Sequence, residues 1–260
     1  MKRAAFFDID GTLWDSSLVI PRSTAEAVRK LKGNRVNTFL CSGRARAFIR
    51  DPKLLSLGFD GILAGCGTYV SFGEVEWIDE TIPPQDLKRT LEVLRRYDMA
   101  VALEGKRFYY AEEDEFSGNP FFAALKRELG DHLLGIREHE MNWEVSKFVA
   151  FVKAEDYRNA VEELSDRYDL KVHDGIMVEG VPKGFSKASG IRFICEKLGI
   201  ALKDTYAFGD SVNDVEMLQL AGHGIAMGNG MQEAKDAADY VTDGIYEDGI
   251  YKACRHFSLI

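Results

Sequence analysis

The sequence predicts an α/β fold, a parallel-sheet domain in two pieces with a separate α+β domain inserted between them. Two observations carry that prediction. Near both ends of the 260-residue chain, short apolar runs stop at glycine or acidic residues and give way to helical patterns, the alternation that builds a parallel sheet. In the middle third, strand patterns follow one another directly, which implies antiparallel pairing in a domain of its own. The expected boundaries are 1–82 and 183–260 for the discontinuous parallel-sheet domain and 83–182 for the insertion.

The first expected strand is the run Ala4-Ala5-Phe6-Phe7, apolar, too short for a helix, and stopped by Asp8, Asp10 and Gly11. Ser23-Thr24 caps a helix ending near Gly33. Val36 to Leu40 gives a second strand, and Cys41-Ser42-Gly43-Arg44 leads from it into another helix. A third strand, Gly61 to Ala64, runs into Gly65-Cys66-Gly67, and two short runs around Gly73 between Tyr69 and Ile78 suit a hairpin. Pro83-Pro84 then opens a helix through Tyr97.

In the insertion, strands are expected at Ala100 to Glu104, Arg107 to Tyr110 and Lys147 to Val152, with helices at Pro120 to Leu129 and Ala154 to Tyr168. Asp174-Gly175, between Leu170-Lys171-Val172-His173 and Ile176-Met177-Val178-Glu179, is the clearest hairpin signal in the chain. Past Pro182 the alternation returns. Helices are expected at Ser186 to Leu198, Val212 to Leu220, Met231 to Ala237 and Gly249 to His256, with strands at Thr205 to Phe208 and His223 to Ala226.

Composition sets the class. Hydrophobic content of 46% and charged content of 29% suit a globular chain with a sizeable core. A formal charge of −9 argues against nucleic-acid binding by bulk electrostatics. Cys41, Cys66, Cys195 and Cys254 are scattered, without metal-ligand spacing, and read as reduced thiols of a cytoplasmic protein. Asp8 interrupts the apolar stretch behind Met1-Lys2-Arg3 too early for a signal peptide, and no membrane span is expected.

The chemistry concentrates at strand ends, where open α/β sheets place their ligands. In extended chain Asp8 and Asp10 point the same way, although alone both also fit turn-forming roles. Phe208-Gly209-Asp210-Ser211-Val212-Asn213-Asp214 repeats the logic: an apolar strand, a glycine, then acids. If both strands belong to one parallel sheet, Asp8, Asp10, Asp210 and Asp214 converge, and such a group needs a neutralising hard cation. Mg²⁺, keeping positions for water and phosphate oxygens, is the usual occupant in phosphoryl transfer. Ser42-Gly43, with the helix N-terminus expected behind it, offers backbone N–H groups to a phosphate. In Pro182-Lys183-Gly184-Phe185-Ser186-Lys187 a lysine can place a point charge near that anion; Lys183 and Lys187 fit equally, and a solvated surface role fits both.

Asp8-Ile9-Asp10-Gly11-Thr12, Ser42-Gly43-Arg44, Lys187 and Gly209-Asp210-Ser211-Val212-Asn213-Asp214 together resemble the four ordered motifs of the haloacid dehalogenase-like (HAD) superfamily of phosphatases. The Gly-Asp-x-x-Asn-Asp pattern and the long insertion are similar to the Cof-type subfamily, and the resemblance spans essentially the whole chain. It implies a Rossmann-like core with an inserted α+β cap of the C2 type. By this resemblance Asp8 is the nucleophile, forming an aspartyl-phosphate, and a Mg²⁺ ligand. Asp10 is the general acid–base and reaches the metal through its backbone carbonyl. Ser42, the Gly43 amide, Lys187 and Asn213 hold the phosphoryl group. Asp210 completes the metal site and Asp214 supports it from behind.

The implied activity is Mg²⁺-dependent hydrolysis of small phosphorylated metabolites such as sugar phosphates, with no nucleic-acid or membrane partner and the oligomeric state open. A phosphosugar mutase and a catalytically silent binding or regulatory module are the alternatives. The sequence departs from the family pattern at Cys41-Ser42, where Ala-Thr is usual, and at Cys66, where Asn is usual. Serine keeps the hydroxyl; Cys66 reads as a small buried residue. Trp14 reads equally as a lining of the site entry or as core packing. The Phe108 to Phe116 stretch reads as packed aromatics beside a solvated acidic face, and His173, Asp174 and Met177 as turn and core residues.

Overall fold

The computed structural model describes residues 2–153, 157–173 and 175–260. The chain forms two compact units: one comprises the residues up to Gly43, Arg50–Trp77 and Ser186–Ile260, and the other Arg44–Ile49 and Ile78–Phe185.

The chain enters through β1 (Arg3–Phe7), whose Ala4 to Phe7 are all fully buried, as expected of a parallel strand covered on both faces. Next come α1 (Arg22–Gly33), β2 (Val36–Cys41), the four-residue α2 (Pro52–Leu55), β3 (Gly61–Ala64), β4 (Tyr69–Phe72) and β5 (Val75–Asp79). The elements α3 (Pro84–Arg96), β6 (Ala100–Glu104), β7 (Tyr109–Ala111), α4 (Pro120–Leu129), β8 (Leu133–Leu134), β9 (Lys147–Phe151), α5 (Tyr157–Leu164), β10 (Tyr168–His173) and β11 (Met177–Pro182) follow. The chain ends with α6 (Lys187–Leu198), β12 (Thr205–Gly209), α7 (Val215–Leu220), β13 (His223–Ala226), α8 (Gln232–Ala237), β14 (Tyr240–Val241) and α9 (Gly249–His256).

An eight-stranded sheet has the order β14-β13-β12-β1-β2-β3-β4-β5. Phe7 pairs with Phe208 on one side and with Leu40 on the other, both in parallel. The chain therefore leaves β1, β2 and β12 at one edge, and Asp8, Ser42 and Asp210 follow those exits. Stacked rings lock this register, Phe6 on Phe39 at 5.1 Å and Phe7 on Phe208 at 4.6 Å between centroids.

The other unit holds a six-stranded sheet, order β10-β11-β9-β6-β7-β8. One face packs Val101, Leu103, Phe148 and Val178 against Leu87, Leu91 and Leu94 of α3 and Leu164 of α5. The opposite face carries small residues, Ala100, Ala102, Ala111 and Val149, with Ala45, Ala47, Phe116 and Leu125.

Four expectations need correction. Ser23-Thr24 does not cap the first helix, which starts at Arg22 after Pro21 with no side-chain cap hydrogen bond. No α-helix follows Ser42-Gly43 directly: Arg46–Phe48 forms one 3₁₀ turn, and the next helix starts at Pro52. The reason is a burial pattern of period two, Ala45, Ala47 and Ile49 inside and Arg46 and Phe48 less so, which no helical face satisfies. The expected helix at Ala154 to Tyr168 ends at Leu164. Tyr168 instead opens β10, its ring edge-on to Phe148 at 5.0 Å. The second strand of the insertion is Tyr109–Ala111, shifted from Arg107 to Tyr110. The first residues of that helix, 154–156, and Asp174 of the hairpin turn lie outside the described residues. The short edge strand Tyr240–Val241 has no apolar run to announce it.

Candidate active site

The residues at the exits of β1 and β12 form a cluster around one lysine. Lys187 is the first residue of α6, whose Ser186 cap forms a reciprocal capping box with Ser189. A cation in a first helical turn opposes the helix dipole. Here the ammonium is held by carboxylates instead: Lys187 Nζ donates to Asp8 Oδ1 and Asp214 Oδ1, both at 2.6 Å, and to Asn213 Oδ1 at 3.3 Å. Lys187 is 2% exposed, whereas Lys183 is exposed and belongs to the other unit. The tertiary structure thus separates two lysines that their own segment leaves equal, and it is Lys187, the one the family resemblance assigns, that meets Asp8.

Asp214 is fully buried. Its Oδ2 accepts from the backbone N–H of Asp210 (2.9 Å) and Ser211 (3.0 Å) and from Ser211 Oγ (3.3 Å). Its oxygens are thus committed to holding the loop and the lysine. Asp210 Oδ1 accepts from Thr12 Oγ1 at 2.8 Å. Gly11, at φ +83°, lies so close that a Cβ there would stand 2.1 Å from Asp210 Oδ2, so this turn requires glycine. Asp8 Oδ2 and Asp210 Oδ2 accept no hydrogen bond from a described residue.

Ligand atoms of Asp8, Asp210 and Asp214 lie within 4.8 Å of one another. Burial pushes the Asp8 carboxyl well above its usual range; Lys187 opposes the shift, while Asp214 and Asp210 reinforce it. Asp210 is pushed up to about 6, by burial first and then by Asp214, against the Thr12 hydrogen bond and Lys187. Burial works to lower Lys187, but Asp214 and Asp8 outweigh it and hold the ammonium charged. Three carboxylates against one ammonium leave negative charge uncompensated, and the donors are all hard oxygens. That set suits a divalent cation such as Mg²⁺.

Asp10 lies two residues beyond Asp8 and is exposed; Ser42 is 2% exposed at the end of β2, its N–H donating to Leu63 O at 2.9 Å. Gly43 follows it. Two contributors receive no role from the sequence. Thr12, within the Asp8 to Thr12 motif, is a buried donor to Asp210. Asn229 Nδ2 donates to Gly11 O at 2.8 Å, and Asn229 Oδ1 accepts from Ile245 N–H at 3.0 Å, which ties the first loop to a distant one. Cys66 is 8% exposed at φ 55°, ψ 37°, a left-handed conformation that Asn tolerates more readily than Cys. All four cysteines are buried and outside any disulfide; burial pushes the Cys195 thiol up to about 11 and the Cys254 thiol up to about 12. Among the described residues no helix is long and apolar enough to cross a membrane.

Comparison with known proteins places this geometry in a family. The chain is 31% identical to YkrA of Bacillus subtilis (strain 168), over 98% of this chain and 97% of that protein. It is 29% identical to 5-amino-6-(5-phospho-D-ribitylamino)uracil phosphatase YcsE of the same organism, covering 97% and 94%. Its structure superimposes with a TM-score of 0.82 on the HAD subclass IIB sugar phosphatase BT4131, at 29% identity and over all of both chains. A model of the haloacid dehalogenase-like hydrolases matches residues 5–254. With its parallel-sheet core and its cluster of strand-end acids, the chain belongs to the haloacid dehalogenase-like hydrolase family.

Proposed function

We propose that this enzyme is a Mg²⁺-dependent phosphatase that hydrolyses small phosphorylated metabolites, sugar phosphates or similar polyol phosphates, through an aspartyl-phosphate on Asp8. The observation that carries the reading is the buried Asp8 carboxylate held by Lys187 at 2.6 Å, with its second oxygen unengaged by any described residue. Two relatives point to the substrate class, one named for a phosphorylated ribityl compound and one a sugar phosphatase.

Asp8 Oδ2 attacks phosphorus; the new O–P bond forms as the ester P–O bond breaks, and Asp10 gives its proton to the departing alcohol. Asp10 then takes a proton from water as the water attacks phosphorus, which releases inorganic phosphate and restores Asp8. Lys187, the Ser42 hydroxyl, the Gly43 amide and the Asn213 side-chain amide bind the phosphoryl oxygens and offset their charge. Asp8, Asp210 and the Asp10 carbonyl would hold Mg²⁺, with Asp214 fixing the loop; when bound, the ion adds positive charge beside the transferring group. The inserted domain, residues 83–182, would act as the cap that selects the leaving group.

The test is phosphate release from a panel of phosphorylated metabolites, with and without Mg²⁺. Wild type should turn over sugar or polyol phosphates only with the metal, and Asp8→Asn should lower the rate by at least about 10⁴-fold with an unchanged circular dichroism spectrum. Full activity in Asp8→Asn would sink the nucleophile assignment, and an isomerised phosphosugar without free phosphate would mean a mutase.

A further inference from the structure

We propose that Asn229 is a positioning residue for the cation site: its side-chain amide clamps the Gly11 carbonyl, holds the two acid-bearing loops at one spacing, and so makes the site prefer Mg²⁺ to the larger Ca²⁺. This inference rests on the reading of Asp8, the Asp10 carbonyl and Asp210 as the groups that hold the cation. Those groups stand on two loops, one after β1 and one after β12. The segment from Met227 to Met231 touches both.

On the β12 side the contact is made by backbone. Met227 N–H donates to Gly209 O at 2.9 Å and Met231 N–H to Asp210 O at 2.7 Å, while Gly230 N–H closes the turn on Met227 O at 2.9 Å. A Cβ on Gly230 would stand 2.8 Å from Asp210 O, so only glycine lets the two backbones approach this closely. On the β1 side the contact is the Asn229 side chain, whose Nδ2 donates to Gly11 O at 2.8 Å. Its Oδ1 accepts from Ile245 N–H at 3.0 Å. A backbone N–H can only donate, which fixes the orientation of the amide and turns its NH₂ to the Gly11 carbonyl.

Gly11 is where such a clamp has most to do. At φ +83° beside Asp210 the position requires glycine, the residue with the widest backbone freedom. Its N–H donates to Trp14 O at 2.7 Å, which directs the Asp10 carbonyl of the same planar peptide the opposite way. The Asn229 bond holds the carbonyl on the other side of Gly11, so both peptides that flank its Cα are fixed. Asn229 is exposed, and packing asks nothing of its side chain. What it adds is one donor and one acceptor at a set distance. Mg²⁺ demands near-ideal octahedral geometry at short oxygen distances, whereas Ca²⁺ accepts more ligands in flexible arrangements. Loss of a fixed spacing therefore weakens Mg²⁺ more than Ca²⁺.

The test is calorimetric titration of the substrate-free protein with MgCl₂ and with CaCl₂. Wild type should bind Mg²⁺ more tightly than Ca²⁺. Asn229→Ala should raise the Kd for Mg²⁺ about ten-fold or more and that for Ca²⁺ less than about three-fold. Asn229→Ser, too short to span both partners, is run beside it and should behave in the same way. Tyr246→Phe is the control. It removes a hydroxyl that donates to Asp15 Oδ1 at 2.8 Å, a second tie from the stretch after Gly244 to the loop after β1, and leaves Asn229 in place. Both of its Kd values should stay within about two-fold of wild type.

A merely structural tie would lower stability in urea without changing the ratio of the two Kd values. Unchanged Mg²⁺ affinity in the Asn229 variants, a loss for Ca²⁺ as large as for Mg²⁺, or a wild type that prefers Ca²⁺ would overturn the proposal and leave the reading of the site intact. If wild type binds no Mg²⁺, or no more tightly than Asp210→Asn does, the reading of the site falls and the proposal with it.

Discussion

Each unit of this protein buries a lysine between carboxylates, and the two clusters are balanced differently. In the parallel-sheet unit, Lys187 bridges Asp8 and Asp214 while Asp210 adds a third carboxylate that accepts from the Thr12 hydroxyl. In the other unit, Lys147 pairs with Glu179 and lies 3.5 Å from Glu104. There Tyr109 OH donates to Glu104 Oε2 at 3.0 Å, and His173 Nε2 lies 3.3 Å from Glu179 Oε2. Burial works to raise Glu179, but Lys147 and His173 outweigh it and hold its carboxyl well below the usual range, whereas burial leaves Glu104 raised. Two acids with a lysine, a phenol and an imidazole come close to charge balance. Three acids with one lysine do not, and that surplus charge separates a site built to receive a cation from a buried ion cluster nearer to charge balance.

The largest expected effect comes from removing each lysine in metal-free protein. Lys187→Met and Lys147→Met should each destabilise their unit by about 3–5 kcal/mol, the cost of stranding buried charge, read by urea unfolding. Mg²⁺ should recover much of the loss in Lys187→Met and none in Lys147→Met. An equal response to Mg²⁺ in both would break the distinction.

Next in size is ligand stabilisation of wild type. Mg²⁺ at a hundred times its Kd should add about 2.7 kcal/mol, a rise of several degrees in Tm by calorimetry. The rise should vanish in Asp210→Asn and persist in Glu179→Gln. Its survival without the Asp210 carboxylate would place the cation elsewhere.

The smallest effect is the pH dependence of metal-free stability. Asp210 has a folded pKa of about 6 against an ordinary value of 3.8, so the folded state binds its proton more tightly than the unfolded state does. The charged form therefore costs stability above about 6, and that cost fades as pH falls from 6 toward 4, a gain of roughly 2 kcal/mol at most. Glu179 has the opposite sign: its depressed pKa contributes stability above its unfolded range, lost on further acidification. Stability should rise from pH 7 to pH 5 in wild type and stay flatter in Asp210→Asn, measured by denaturant titration in chelator. A rise of equal size in the variant would show that Asp210 does not carry it.

Much of the candidate site is legible because its information is local. An apolar run stopped by Asp8, Asp10 and Gly11, and another stopped by Gly209 and Asp210, mark strand ends without reference to any other part of the chain. The missing helix after Gly43 was not legible, since Ala45 and Ala47 follow the demands of a core formed with residues far along the chain. The Glu104–Lys147–Glu179 cluster was equally silent, because three separate strands carry it and only their register brings the charges together.

The sequence by itself determined where the strands end, which acids stand at those ends, and the order of the motifs, since each depends on neighbouring residues and on side-chain alternation. Only the tertiary structure brought Lys187, which its own segment leaves equal to Lys183, against Asp8, 179 positions away, set Thr12 to serve Asp210, and aimed the N–H of Trp14 at Asp10. These choices rest on which groups share a buried volume. Sheet register and burial fix that, and no short stretch of chain encodes it.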